Sequence, residues 1–165
     1  MDPIFVQALG LAALAINLFS FSTVNDRRLR ALLFGSCSLF AIHYALLGAA
    51  VAGVNLVINA VRAFVSLRFT GFGWFVLFAA LQTVMSAVLY ATPLDIVPWV
   101  ASLITGFALF CLSGIKLRIA MLLGTLTWMI NSVLVGSWGG MLNDAINGTA
   151  LLLTIWRLHR QPAVS

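Results

Sequence analysis

The chain has 165 residues, of which 62% are hydrophobic and only 8% charged, and its mean hydropathy is +1.10. Because a soluble domain carries about a quarter charged residues, this composition excludes a soluble globular protein and predicts a protein whose main partner is the lipid bilayer. The net charge of +5 does not indicate nucleic-acid binding, because the basic residues lie at the ends of apolar segments, as they do in cytoplasmic loops of membrane proteins.

Seven apolar segments are long enough to cross a bilayer, which takes about 20 predominantly apolar residues in a helix. Because backbone polar groups in hydrocarbon must be hydrogen-bonded within their own segment, continuous apolar runs predict helices. We therefore predict an all-α membrane protein with seven transmembrane helices. The segments are Pro3–Ser22, Leu29–Leu47, Ala49–Leu67, Gly73–Tyr90, Asp95–Leu112, Leu117–Val135 and Gly139–Trp156.

The distribution of Lys and Arg predicts how the chain is oriented. If the basic connection that begins at Asn25 is cytoplasmic, all 9 Lys and Arg residues fall at or near the cytoplasmic side. The connections on the opposite side, at 48–50, 91–94 and 136–138, contain none. The N-terminus is therefore expected outside the membrane and the C-terminus inside, with residues 161–165 as a cytoplasmic tail.

The two halves of the chain resemble each other at a shift of 88 residues. Two three-helix units in the same orientation need an odd number of spans between them, and one helix supplies it. We predict two parallel three-helix-bundle repeats at residues 1–69 and 93–160, joined by a linker helix within 70–92. The polar residues that correspond are Arg30 with Arg118, His43 with Asn131, Asn55 with Asn143, and Asn59 with Asn147.

The repeated asparagines are the main candidate site. Asparagines four residues apart lie on one face of a helix, and Asn59 and Asn147 lie well inside their segments. Transporters built from repeats bind their substrates near the membrane midplane, and an amide offers both donors and an acceptor. We predict a substrate site that includes Asn55, Asn59, Asn143 and Asn147. The alternative is that these amides only join helices to one another.

Five further residues are candidates. Asp144 is an intramembrane carboxylate whose equivalent is Leu56, and it is expected to bind a cation, to relay protons or to remain neutral beside the sixth helix. Trp128 and Asn131 lie on that sixth helix and are predicted to contact the substrate. His43 and Arg62 are candidate gating residues; the alternatives are a helix contact for His43 and, for Arg62, a side chain that reaches the headgroups.

The sequence has no hydrolase, nucleotide-binding or metalloprotease motif and no paired carboxylates within the predicted spans. We therefore predict that the protein is not an enzyme and needs no cofactor. Cys37 and Cys111 have no neighbouring ligands at metal-site spacing, so no metal site is expected.

Segments along nearly the whole chain resemble the YgjV family of small bacterial inner-membrane proteins. They are Asp26-Arg27-Arg28, His43–Gly48, Ala52-Gly53, Asn59-Ala60-Val61-Arg62, Ala108-Leu109-Phe110-Cys111, Trp128, Gly136–Gly140 and Ile155-Trp156-Arg157. The resemblance implies the bacterial inner membrane, in which the outer side that the Lys and Arg distribution predicts for the N-terminus is the periplasm. More remotely, the layout of three helices, one helix and three helices is similar to SWEET sugar facilitators, PQ-loop transporters and nicotinamide riboside carriers. It departs from the SWEET pattern because the second and sixth segments contain no proline.

Two functions follow as hypotheses. The first is a carrier of a small polar solute that works by alternating access, with the asparagines facing a polar cavity. The second is a membrane scaffold or sensor that keeps a SWEET-like fold without transport. The sequence leaves the solute, the coupling ion and the existence of a homo-oligomer open.

Overall fold

The computed structural model describes residues 3–46, 50–88, 90, 93–134 and 138–160; within these ranges the side chains of residues 3, 44, 50–54 and 138–140 are not described. The predicted corners at Gly48 and Gly136, residues 91–92 and the predicted tail at 161–165 lie outside the described residues. All regular secondary structure in the described ranges is helical, and these ranges contain no strand, which confirms the all-helical prediction.

Seven α-helices and one short 3₁₀-helix make up the described chain. Their order corresponds to the seven apolar segments of the sequence. The α-helices are α1 (Pro3–Ser22), α2 (Asp26–Leu46), α3 (Ala50–Val65), α4 (Phe72–Val88), α5 (Ile96–Cys111), α6 (Gly114–Leu134) and α7 (Trp138–Arg160), and the 3₁₀-helix spans Pro93–Asp95.

Helices α2 and α6 begin three residues earlier than the hydropathy of the sequence indicates. At α2 the cause is an N-cap: the Asn25 Oδ1 accepts the Arg28 N–H at 2.9 Å, and the Asn25 carbonyl accepts the Leu29 N–H at 2.9 Å. At α6, Gly114 has a φ of 58°, a conformation that favours glycine, and it allows the chain to reverse after α5. Basic residues that the sequence placed in connections therefore lie in the first helical turns.

The chain divides into two compact units, Met1–Arg68 and Phe69–Ser165. In the first unit, α2 packs against both α1 and α3. In the second unit each helix packs against the next, so that α4 contacts α5, α5 contacts α6, and α6 contacts α7.

Polar side chains hold α1 and α2 together inside the first unit. The Ser20 Oγ donates to the Leu29 carbonyl at 2.9 Å, and the Ser36 Oγ donates to the Ala13 carbonyl at 2.9 Å. The opposite side of α1 is apolar, since Phe19 is 68% exposed. This arrangement, with hydroxyls inside and large apolar side chains outside, is typical of a protein whose solvent is lipid.

The second unit is packed by aromatic rings and by a close approach of two helices. The Phe78 ring on α4 stacks on the Phe110 ring on α5 at 5.3 Å between centroids. Between α5 and α6, a Cβ added at Gly124 would lie only 2.4 Å from the Thr105 Cγ2. Glycine therefore lets these two helices approach more closely than any other residue would.

Helices α2 and α6 have corresponding ends, and several buried positions of the two units also correspond. At a shift of 88 residues both ends of α2 coincide with those of α6, and the first residue of α3 coincides with that of α7. Ala13 and Leu29 are 0% exposed, as are their equivalents Ala101 and Leu117. The correspondence therefore extends from the sequence to the packing within each unit.

Three helical segments among the described residues are long and apolar enough to cross a membrane: Ile4–Ser22, Pro93–Cys111 and Gly114–Leu134. The segments Asn55–Val65 and Phe72–Val88 are apolar but shorter. The structure thus supports a helical membrane protein with several apolar helices.

Candidate functional site

Asn59 lies on α3, near the end of the first unit, and is half-buried. Its Oδ1 is inaccessible to solvent and has no hydrogen-bond partner among the described residues. A buried acceptor without a partner costs about 1–3 kcal/mol of folding free energy. The packing of the first unit alone therefore gives no reason for an asparagine here.

Asn147 lies on α7 of the second unit, 88 residues after Asn59, and is only 3% exposed. Its Oδ1 is also buried and meets no donor within the described part of the chain. Two equivalent amides, each in its own unit, thus present an unused carbonyl oxygen. The sequence predicted these two positions as part of a substrate site, and that role stays a prediction.

Asp144 is one turn before Asn147 and is 8% exposed. Its carboxylate accepts two hydrogen bonds, one from the Ser132 Oγ on α6 at 3.1 Å and one from the Asn143 Nδ2 at 3.3 Å. Both donors are neutral. Because Asn143 turns its nitrogen toward the carboxylate, its own Oδ1 points elsewhere, and this buried oxygen has no partner among the described residues.

Residues 143, 144 and 147 therefore form one group that is rich in hydrogen-bond acceptors. Together with Ser132, we call these residues the Asp144 cluster. Asn143 and Asn147 are four residues apart and share a helix face, and Asp144 lies three residues before Asn147 on a neighbouring position. The cluster offers two carboxylate oxygens and two unpartnered amide oxygens. An arrangement this poor in donors suits a ligand that brings a positive charge or several donors.

His43 is buried between α2 and α1. Its Nδ1 lies 2.8 Å from the Val6 carbonyl oxygen, and because a carbonyl only accepts, this nitrogen carries the proton. The ring lies against Gly10, where a Cβ would come within 2.9 Å of the His43 Cε1. His43 thus makes a specific helix contact, as one of its two predicted roles requires, and its predicted gating role stays a prediction.

Arg62 lies on α3 and is only 7% exposed, so its side chain is enclosed by the first unit. Arg62 has interactions within the structure. Asn55, one turn before Asn59, is half-buried and also has interactions within the structure. The gating role of Arg62 and the binding role of Asn55 stay predictions.

Trp128 and Asn131 are half-buried on α6. The hydrogen bond from α6 to the Asp144 carboxylate comes from Ser132, the residue after Asn131. Sequence reasoning did not include Ser132 in the site, because a serine in an apolar helix more often bonds its own backbone. Gly10 was also missed, although a glycine opposite a buried histidine is a signal of close helix approach.

Similar proteins are known along nearly the whole chain. The model of the Imp-YgjV family, described as a bacterial inner membrane protein, matches residues 4–162. The inner membrane protein YgjV of Escherichia coli (strain K12) is 27% identical over 161 residues, which cover 94% of this chain and 86% of that protein. No solved structure matches the chain.

Proposed function

Since the chain belongs to the Imp-YgjV family of bacterial inner membrane proteins, we propose that it carries a small polar solute across that membrane. In this proposal the carrier works by alternating access, and Asn59 and Asn147 contact the solute. The seven helices all span the membrane, with a periplasmic N-terminus and a cytoplasmic C-terminus. They form two three-helix repeats joined by α4.

One observation carries the proposal: Asn59 and Asn147 are equivalent residues, and each buries a side-chain oxygen for which the described residues provide no donor. An asparagine that only joined helices would use both ends of its amide, because a polar group in hydrocarbon without a partner destabilises the fold. A solute with hydroxyl or amine groups would supply the missing donors. Because an amide carries no charge, such a solute can also leave.

The corresponding ends of α2 and α6 and the equally buried positions at Ala13 and Ala101 support the repeat part of the proposal. Duplicated units provide alternating access because each unit can move as a body while its contacts with the solute are kept. A carrier also needs polar groups near the middle of its spans, where these asparagines lie.

The experiment has two stages, because the solute must first be identified. Purified full-length protein is screened against small polar metabolites for a ligand-dependent rise in melting temperature, since a ligand that binds only the folded state stabilises it. Flux of the hit is then measured in liposomes. We expect Asn59→Ala and Asn147→Ala to reduce this flux at least about tenfold, as loss of a hydrogen-bonding side chain in a tuned polar site does.

Matched controls come from the outer faces of the same two helices. Val61 on α3 is 46% exposed, and Thr149 on α7 is exposed and bonds its own helix at the Ala145 carbonyl. Val61→Ala and Thr149→Ala should leave flux unchanged. Flux that survives both asparagine substitutions removes the site assignment, and a wild-type protein that moves no solute favours the scaffold hypothesis.

A further inference from the structure

Among the described residues, the second unit contains a buried carboxylate whose hydrogen-bond donors are all neutral. Asp144 is 8% exposed, and its hydrogen-bond donors are the Ser132 hydroxyl and the Asn143 amide. An isolated negative charge in a membrane is strongly destabilising unless a positive charge accompanies it. The cluster therefore lacks one unit of positive charge.

Two amide oxygens of the Asp144 cluster indicate what supplies that charge. The Asn143 Oδ1 and the Asn147 Oδ1 are both buried and unpartnered among the described residues, one turn apart on α7. A proton on Asp144 would neutralise the carboxylate and supply a single O–H donor, which leaves at least one of the two amide oxygens without a partner. A bound cation would neutralise the carboxylate and give the Asn147 Oδ1 a positive partner, and rotation of the Asn143 amide would turn its Oδ1, in place of its Nδ2, toward the same ion.

The composition of the cluster also indicates which cation. Oxygen ligands suit hard cations, and divalent ions are usually held by more than one carboxylate. In the described part of the chain no group of three His, Cys, Asp or Glu residues converges, so the cluster does not resemble a transition-metal site. One carboxylate with neutral amide and hydroxyl oxygens balances a single positive charge.

We propose that Asp144, Asn143 and Asn147 bind a small monovalent cation, either an alkali metal ion or the ammonium group of a solute. The repeat makes this site asymmetric: the equivalent asparagines Asn55 and Asn59 accompany Leu56, which has no charge. Cation binding therefore belongs to the second unit alone. A role of the cation in driving solute transport rests on the proposed carrier function, whereas cation binding itself is measured without any solute.

The experiment measures the melting temperature of the purified full-length protein in nanodiscs. Sodium, potassium or methylammonium chloride replaces choline chloride at constant ionic strength, because the choline nitrogen carries only alkyl groups and has no N–H to donate to the cluster oxygens. We expect the melting temperature to rise with the logarithm of the concentration of the bound cation. Stabilisation by an alkali ion assigns the site to an inorganic ion, and stabilisation by methylammonium alone assigns it to an amine.

Asp144→Asn keeps the shape of the side chain and should abolish the cation-dependent shift. If this variant does not fold, Asn143→Ala and Asn147→Ala provide the test. Each should weaken the affinity for the cation at least about tenfold. Thr149→Ala on the exposed side of α7 is the matched control, because its hydroxyl bonds the Ala145 carbonyl of the same helix, and it should retain the wild-type affinity. The cation proposal is overturned if the melting temperature of the wild type responds equally to all four salts, or if the Asp144→Asn variant keeps the shift. Neither result bears on the carrier proposal, which is tested separately by solute flux.

Discussion

The His43 ring on α2 lies directly against Gly10 on α1, so that a Cβ at Gly10 would come within 2.9 Å of the His43 Cε1 and 3.2 Å of its Nδ1. The same Nδ1 donates to the Val6 carbonyl at 2.8 Å. The hydrogen bond therefore depends on the absence of a side chain at residue 10, one turn along α1 from Val6.

Gly10→Ala should destabilise the first unit by about 1–3 kcal/mol, the usual cost of forcing extra atoms into a packed core. The added methyl would displace His43 and break its bond to Val6. The measurement is the free energy of unfolding of the purified protein in detergent. Gly35→Ala is the matched control on α2, because its Cβ would meet only the Ile16 Cγ2, at an ordinary 3.9 Å.

A double-mutant cycle separates this mechanism from a general effect of alanine. In a His43→Ala background the clash is absent, so Gly10→Ala should cost much less there than in the wild type. Equal costs in the two backgrounds would show that the ring contact does not limit residue 10.

Gly124→Ala should separate α5 from α6, because its Cβ would lie 2.4 Å from the Thr105 Cγ2. We expect a loss of about 1–3 kcal/mol of stability. Thr105→Ser removes this methyl group and keeps the hydroxyl that bonds the Ala101 carbonyl at 3.1 Å, so it should rescue Gly124→Ala. Gly148→Ala is the control, with its closest neighbour, the Leu122 Cδ1, at 3.8 Å; a rescue that fails would place the strain elsewhere.

The sequence predicted the helices because apolar runs have few structural alternatives in lipid. Its prediction that the amides at Asn59 and Asn147 bind a solute stays a prediction, although both bury an oxygen for which the described residues provide no donor. It placed the starts of α2 and α6 three residues late, because hydropathy records the apolar part of a helix and not its cap at Asn25 or its glycine at Gly114.

The specific contacts between helices could not be predicted from the sequence. Ser36 on α2 bonds the Ala13 carbonyl, and its equivalent Gly124 on α6 faces the equivalent carbonyl of Ala101, 3.6 Å from where a Cβ would stand. The first unit joins α1 and α2 with a hydroxyl, and the second unit joins α5 and α6 with a close backbone approach. Neither the serine nor the glycine appears as a match when the two halves are aligned, although they occupy corresponding positions in their two helix pairs.

Ser132→Ala should destabilise the second unit, because it removes the hydroxyl that donates to the Asp144 Oδ2 at 3.1 Å. A charged acceptor that loses a buried donor costs about 1–3 kcal/mol or more. Ser38→Ala is the matched control, since the Ser38 Oγ bonds the Phe34 carbonyl of its own helix on an accessible side. A Ser132→Ala variant as stable as Ser38→Ala would mean that the carboxylate is held mainly by other groups.

The proposed orientation predicts that a reporter at the C-terminus is cytoplasmic. A green fluorescent protein fused after residue 165 should fluoresce, and an alkaline phosphatase fused there should be inactive, because the Lys and Arg residues near α7 favour retention inside. Replacing Arg157 and Arg160 by glutamine provides a control for their contribution. An active phosphatase would reverse the proposed topology.

Asn59→Leu and Asn147→Leu test whether the two amides serve the solute or the fold. Leucine has a similar size and needs no hydrogen bond, so each variant should be as stable as the wild type or more stable by about 1 kcal/mol, because an unpartnered buried oxygen is removed. Solute binding should be lost at the same time, since residues kept for function commonly reduce stability. Ser36→Ala is the contrasting change: its hydroxyl bonds the Ala13 carbonyl across α1 and α2, and its loss should destabilise. If the leucine variants lose as much stability as Ser36→Ala, the amides hold helices together, and the carrier proposal loses the observation on which it rests.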